Sequence, residues 1–328
     1  MINEDALFGR TEVKISPCPE KLSRHQTSLW MGSCFAGSFQ PNLTTFGYPS
    51  LVNPLGVVYH PLVLGELLFL PLDELLRYNF ENGGVWLNYW LSSHFSAASE
   101  SELTMQISAA RNEARAFFDS VDWFVMTWGT AFWYEHEILG RVGKCHKQPS
   151  KLFRKQISQP AELAEKWKIW ILEWRKQNSK GKVLLTISPV RHTRDGLADN
   201  SLSKSILRVA AESLCKTLPG VYYFPSYELV LDELRDYRYF ESDLIHPGPG
   251  AVDWIWRKFS AAFLERDEAL VNEKILELER LKQHRPRNEF GNAYEIWKKG
   301  VGEKSEEVRK MLEFEREKRK NNMGLTGR

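Results

Sequence analysis

The sequence predicts an α/β fold: a parallel sheet covered on both faces by helices, with charge-dense helices after it. Two observations predict this. Four short apolar runs end in small or turn-forming residues, at 28–33 (SLWMGS), 121–129 (VDWFVMTWG), 182–190 (KVLLTISPV) and 220–226 (GVYYFPS). Between them lie segments whose apolar residues recur every three or four positions. Strands alternating with helices of this length argue for right-handed βαβ units. In such sheets ligands sit outside the carboxyl ends of the strands.

Taken in order, the first run stops on the small cluster Gly32-Ser33-Cys34. The helix expected at 100–120 carries Leu103, Ile107, Ala110, Ala114 and Phe117 on one face. Segments 160–177 and 201–218 read the same way, the latter with Asn200 or Ser201 as N-cap. Ser33, Thr130 and Ser188 place side-chain oxygens at or just beyond three of the strand ends, which points to a site there. After about Leu264 the sequence turns charge-dense with alternating signs. The division expected is therefore a domain over 1–264 and a charged helical extension over 265–328, read as solvated helices rather than a partner-binding arm.

Composition excludes several classes. Hydrophobic content of 43% and aromatic content of 12% in 328 residues suit a globular chain with a sizeable core. The formal charge of +2 gives no overall pull toward nucleic acid or an acidic membrane surface. Cys18, Cys34, Cys145 and Cys215 form no CxxC pair, so neither a zinc ribbon nor a disulfide scaffold is expected. His136-Glu137 lacks the second histidine of an HExxH motif, and Cys145-His146 lacks a second ligand pair; no metal and no cofactor are expected. With no signal-like N-terminus and no membrane-length apolar run, a cytoplasmic location is expected.

Two stretches carry chemistry. A strand-to-helix turn built from Gly32-Ser33 lets a hydroxyl project at the sheet edge, beside helix-start amides that can meet developing negative charge. Serine is a poor nucleophile at neutral pH and needs a base within hydrogen-bond reach. The segment YFESDLIHPGPG supplies one, with Asp243 three residues before His246. Histidine titrates near neutrality, and a neighbouring carboxylate fixes its tautomer and stabilises the imidazolium.

In combination these stretches resemble the GSCFA family of SGNH/GDSL-like hydrolases, whose name is spelled by residues 32–36. The resemblance extends from about residue 10 to about residue 260 through NPLGVVYHP (53–61), TWGTAFW (127–133), CHKQP (145–149), SPVRHTRDG (188–196) and DNSLSK (199–204). It implies a three-layer α/β/α, flavodoxin-like fold, with Ser33 as nucleophile, His246 as base and Asp243 as its orienting carboxylate. It also implies an oxyanion hole made by the amides of Ser33 and Gly56 and an asparagine side chain from the third block. That block reads Trp128-Gly129-Thr130, without asparagine, so Thr130 is the expected substitute, followed by Asn200 and His146. The asparagine that precedes the Cys-His pair in the family pattern is Lys144 here.

The function expected is ester hydrolysis through an acyl-enzyme, on a small-molecule or carbohydrate acyl ester. The alternatives are acyl transfer on the same triad, or a non-catalytic binding protein that kept the fold. Cys34 is read as core or as an amide donor. Arg191 and His192, just past a strand end, are candidate substrate contacts, with an ion pair of Arg191 to Asp195, Asp199 or Asp236 as the alternative. Trp128 and Trp133 are the tryptophans that flank the proposed site.

Overall fold

The computed structural model describes residues 10–325, with side chains through residue 314 apart from that of Asp195. The chain begins with β1 (Ser28–Gly32), α1 (Cys34–Ser38), α2 (Gln40–Thr45), β2 (Ser50–Val52), α3 (Pro61–Phe69) and α4 (Leu72–Leu76). A hairpin of β3 (Asn79–Asn82) and β4 (Val85–Asn88) leads to α5 (Glu100–Ser120) and β5 (Trp123–Trp128). Then come β6 (Phe132–His136), β7 (Gly140–Val142) and β8 (Phe153–Ile157), followed by α6 (Pro160–Gln177), β9 (Lys182–Ile187), α7 (Leu197–Thr217) and β10 (Val221–Phe224). A short turn, α8 (Ser226–Glu228), runs into one π-helical turn, and α9 (Pro249–Phe263), α10 (Arg266–Gln283) and α11 (Asn292–Leu325) close the chain.

The central sheet has the order β10-β9-β5-β1-β2, and every neighbouring pair is parallel. This is a doubly wound sheet whose strand order reverses between β1 and β5, the place where such sheets bind ligands. The four strands read from the sequence are all present. The short β2 carries no such signal, because its three residues are only half-buried. Also unforeseen are the β3–β4 hairpin and the antiparallel sheet β7-β6-β8, inserted between β5 and α6.

Alternation along each strand separates two apolar layers. Leu29, Met31, Phe124, Met126, Val183 and Leu185 face one way and pack with α3, α5, α6 and α7. Trp30, Trp123, Val125 and Leu184 face the other way and pack with α1, α2 and α9. The result is the three-layer arrangement expected. Val271, Ile275 and Leu278 of α10 and Val308 of α11 are buried in that second layer beside Trp256 and Phe259. Buried Glu268 of α10 pairs with Arg24, whose Nε also donates to Phe46 O at 2.6 Å. The charged helices after Leu264 are therefore present, and α10 is seated on the sheet domain rather than solvated all round.

Helix ends explain two local features. Ser99 caps α5 by accepting from the Glu102 amide at 3.3 Å. The N-cap of α7 is Gly196, not Asn200 or Ser201, so the helix starts four residues before the expected 201. Gly196 has φ +86, a backbone angle that only glycine adopts freely, and this turn lets the chain enter the helix early. No helix among the described residues is long and apolar enough to cross a membrane.

Candidate active site

The β1–α1 turn is fixed by close backbone approach. Gly32 has φ +136, and a Cβ there would lie 2.1 Å from Thr127 O on β5, so glycine is required. The Gly32 amide donates to Asn53 Oδ1 at 3.0 Å, and the Val58 amide donates to Gly32 O at 2.7 Å. Ser33 follows with no solvent exposure, its amide donating to Thr127 O at 2.9 Å. Its Oγ accepts from the Phe35 amide at 3.3 Å as the N-cap of α1. Cys34 is the next residue, and it is this side chain that opens onto a cavity.

That cavity, about 530 Å³, lies off the carboxyl ends of β1 and β5. Cys34, Tyr59, Thr130, Lys144, Arg191, His192 and His246 line it, and Phe132, Trp133 and Tyr134 of the inserted sheet form an aromatic wall. The insertion therefore has a positional role, adding a side to a site that the parallel sheet leaves open.

His246 is held by its own loop. Asp243 Oδ1 accepts from the amides of Ile245 at 2.8 Å and His246 at 3.0 Å, and Oδ2 lies 2.6 Å from His246 Nδ1. Leu244 adopts φ +57 so that the loop can fold back this tightly, a strain uncommon for a branched residue. The hydrogen bond from the imidazole, then the two amides, hold the Asp243 carboxyl down at about 2. With Nδ1–H donating to a carboxylate, Nε2 is the nitrogen left to accept a proton from the cavity side.

Burial sets the other ionisations. It pushes the Cys34 thiol up, against smaller opposing effects of the Cys34 and Phe35 amides and of Lys204 and Lys144, so the resting side chain is S–H. Burial pushes Lys144 down to about 8 and the fully enclosed Lys204 down to about 7. Lys204 Nζ donates to Gly129 O at 2.6 Å and Ser188 O at 2.7 Å, tying the ends of β5 and β9 together beneath the cavity. His60 is neutral, pushed down to about 3 by burial. Its Nδ1 accepts from the Leu62 amide at 3.3 Å, which leaves Nε2–H to donate to Ser158 Oγ at 3.2 Å.

The structure brings together His246, Asp243, Thr130, Arg191 and His192 and redistributes the other expected residues. Ser33 does not line the cavity, and no hydrogen bond joins it to His246 among the described residues; its hydroxyl is a helix cap. The Ser33 amide is spent on Thr127 O and the Gly56 amide on Asn53 O at 2.8 Å, so neither is the open donor expected. Thr130 does line the cavity, with its Oγ1 accepting from the Phe132 amide at 3.1 Å and 3.0 Å from Ser203 Oγ. Asn200 Oδ1 accepts from the His192 amide at 2.9 Å, a support for the cavity wall and not a donor into it. His146 Nε2 is taken up by Asn88 O at 2.8 Å, with φ +45 turning the residue away. Trp128 is core, 1% exposed and against Trp167, whereas Trp133 does reach the cavity.

Arg191 lies over Phe240 at 4.3 Å and Tyr237 at 5.0 Å. Asp236 bonds Arg238 instead, at 2.9 Å, and the side chain of Asp195 lies outside the described residues. Lys144, Tyr59 and Lys204 were not foreseen as site residues. For Lys144 and Tyr59 the signal was their place in segments flanking the sheet, which assigns no direction to a side chain. Lys204 closes the DNSLSK motif at 199–204, but a lysine on a periodic helix carries no sign that it is enclosed. Among the described residues, no three His, Cys, Asp or Glu side chains converge as a metal centre requires.

The sequence model of the GSCFA family matches residues 28–259. No curated protein and no solved structure matches the chain.

Proposed function

This chain belongs to the GSCFA family, and we propose that it is an acyl hydrolase acting on ester bonds, with Cys34 rather than Ser33 as nucleophile and His246–Asp243 as its base pair. The observation that carries this reading is that Cys34 and the carboxylate-held His246 line one cavity at the switch point of the sheet. A buried thiol kept protonated needs a base at the moment of attack, and His246 Nε2 is the group suited to it.

In the proposed reaction Nε2 takes the Sγ proton while sulfur attacks the ester carbonyl. The tetrahedral oxyanion forms beside the Cys34 amide at the start of α1, which favours developing negative charge. Cleavage of the C–O bond expels the alcohol, which receives the proton from His246. A thioester remains on Cys34. Water, deprotonated by the same imidazole, then releases the carboxylic acid and restores the thiol. Asp243 stays ionised throughout and stabilises the imidazolium. A second alcohol in place of water would give acyl transfer by the same steps.

The test is intact-protein mass spectrometry after brief exposure to 4-nitrophenyl acetate. An acetyl adduct mapped to Cys34 and released by hydroxylamine is expected. Hydrolysis with the adduct on Ser33, or with none on either residue, overturns the assignment.

A further inference from the structure

We infer that the cavity over Cys34 selects esters that carry an anionic group, a carboxylate or a phosphate, seated by Lys144 and Arg191. The inference rests on reading that cavity as the active site and adds the class of substrate. Lysine and arginine total 44 and aspartate and glutamate 42, so charge is nearly balanced over the chain. The cavity is not balanced: Lys144, Arg191 and Arg194 line it, and no Asp or Glu does among the described residues.

The two inner cations are held by aromatic rings instead of carboxylates. Lys144 Nζ lies 4.3 Å from the Tyr59 ring centroid, in a setting that raises the cost of its charge. The Arg191 guanidinium rests against Phe240 and Tyr237 at the border with a neighbouring pocket that Asp232 and Asp236 also line, and no ion pair joins it to Asp199 or Asp236 among the described residues. A half-buried ammonium without a counter-ion is unfavourable unless something supplies the negative charge. Elsewhere in the molecule buried cations are answered: Arg24 by Glu268, Lys204 by two carbonyls and Arg111 by Leu68 O. In this cavity an anionic substrate answers Lys144, with Arg191 at the margin where the neighbouring pocket begins. Arginine's planar fork suits a carboxylate or a phosphate equally, so both sources carry the same chemistry.

The experiment uses the full chain and two matched pairs of esters. 4-Nitrophenyl hydrogen glutarate is compared with 4-nitrophenyl valerate, which has methyl for carboxylate. Butyryl glycerol 3-phosphate is compared with monobutyrin, which lacks the phosphate. At low ionic strength one anionic member is expected to exceed its neutral partner by at least about tenfold in kcat/KM. The winning pair identifies the anion. In Lys144→Gln/Arg191→Gln the preference is expected to fall to within about twofold, through KM and not kcat. Equal use of anionic and neutral esters by the wild type overturns the inference, as does a loss confined to kcat.

Should no ester be hydrolysed, calorimetric binding of glutarate and of glycerol 3-phosphate decides the matter. Binding that the double variant abolishes upholds the inference while sinking the hydrolase reading. No binding to the wild type sinks the inference itself.

Discussion

Asp243 Oδ2 lies 2.6 Å from His246 Nδ1, and the same carboxylate accepts both amides of its own loop. One short segment thus fixes the imidazole's tautomer before any substrate arrives. The substitution Asp243→Asn leaves a neutral side chain that cannot stabilise the imidazolium. Ester turnover is expected to fall by about 10²–10⁴-fold with little change in KM. Steady-state kinetics check this, and unchanged kcat would remove the pair from the chemistry.

Acid alone should not disarm Asp243. Its carboxyl is held at about 2, below the ordinary aspartate value, so it contributes stability above that ordinary value and loses it only as pH falls through about 2. Isotope-edited infrared spectroscopy between pH 7 and 4 is expected to show no protonated-carboxyl band from Asp243, and such a band appearing in this window would overturn the assignment.

Ser33 and Cys34 should separate cleanly. Ser33→Ala removes a helix cap and is expected to cost about 0.5–2 kcal/mol of stability while retaining most turnover. Cys34→Ala should keep the fold and lose nearly all turnover. Denaturant unfolding and hydrolysis rates measured on both variants decide it, and an active Cys34→Ala with a folded but dead Ser33→Ala restores the serine.

His60 makes the protein sensitive to mild acid. Its ring is neutral in the fold down to about pH 3, while in the unfolded chain it titrates near 6.5. Between those values the unfolded chain binds the extra proton, so stability falls as pH drops from about 6.5. Denaturation midpoints at pH 7 and 5 should show a smaller acid loss in His60→Gln than in the wild type; equal losses would assign the effect elsewhere.

Truncation after Leu264 should unfold the protein rather than spare it. It would strip Val271, Ile275 and Leu278 from the second apolar layer and leave Arg24 without Glu268. Breaking such a buried pair alone typically costs about 3–5 kcal/mol. Glu268→Ala in the full chain, followed by denaturant unfolding, isolates that share. A loss under about 1 kcal/mol would mean that the pair itself contributes little and that the apolar face of α10 carries its seating.

The sequence by itself determined the class of fold and the chemistry of one loop. Buried parallel strands such as β5 and β9 are continuous apolar runs, and helices such as α5 and α6 repeat apolar residues every three to four positions, so their contacts are written locally. Asp243 and His246 were legible for the same reason, because four consecutive residues of one loop contain the whole interaction. What lies between distant segments was not legible. Ser33 and Cys34 are adjacent, and only the packing of Gly32 against Thr127 O and the capping bond to Phe35 decide which faces the cavity. The short strands β6–β8 lack a burial pattern strong enough to announce them, yet they supply the aromatic wall. Lys204 and α10 tell the same story. Charged residues on periodic helices read as surface, and only the assembled layers show that Lys204 is enclosed and that α10 is part of the core. Local periodicity is set by bonded geometry; the direction of a side chain and the company it keeps are set by non-local burial.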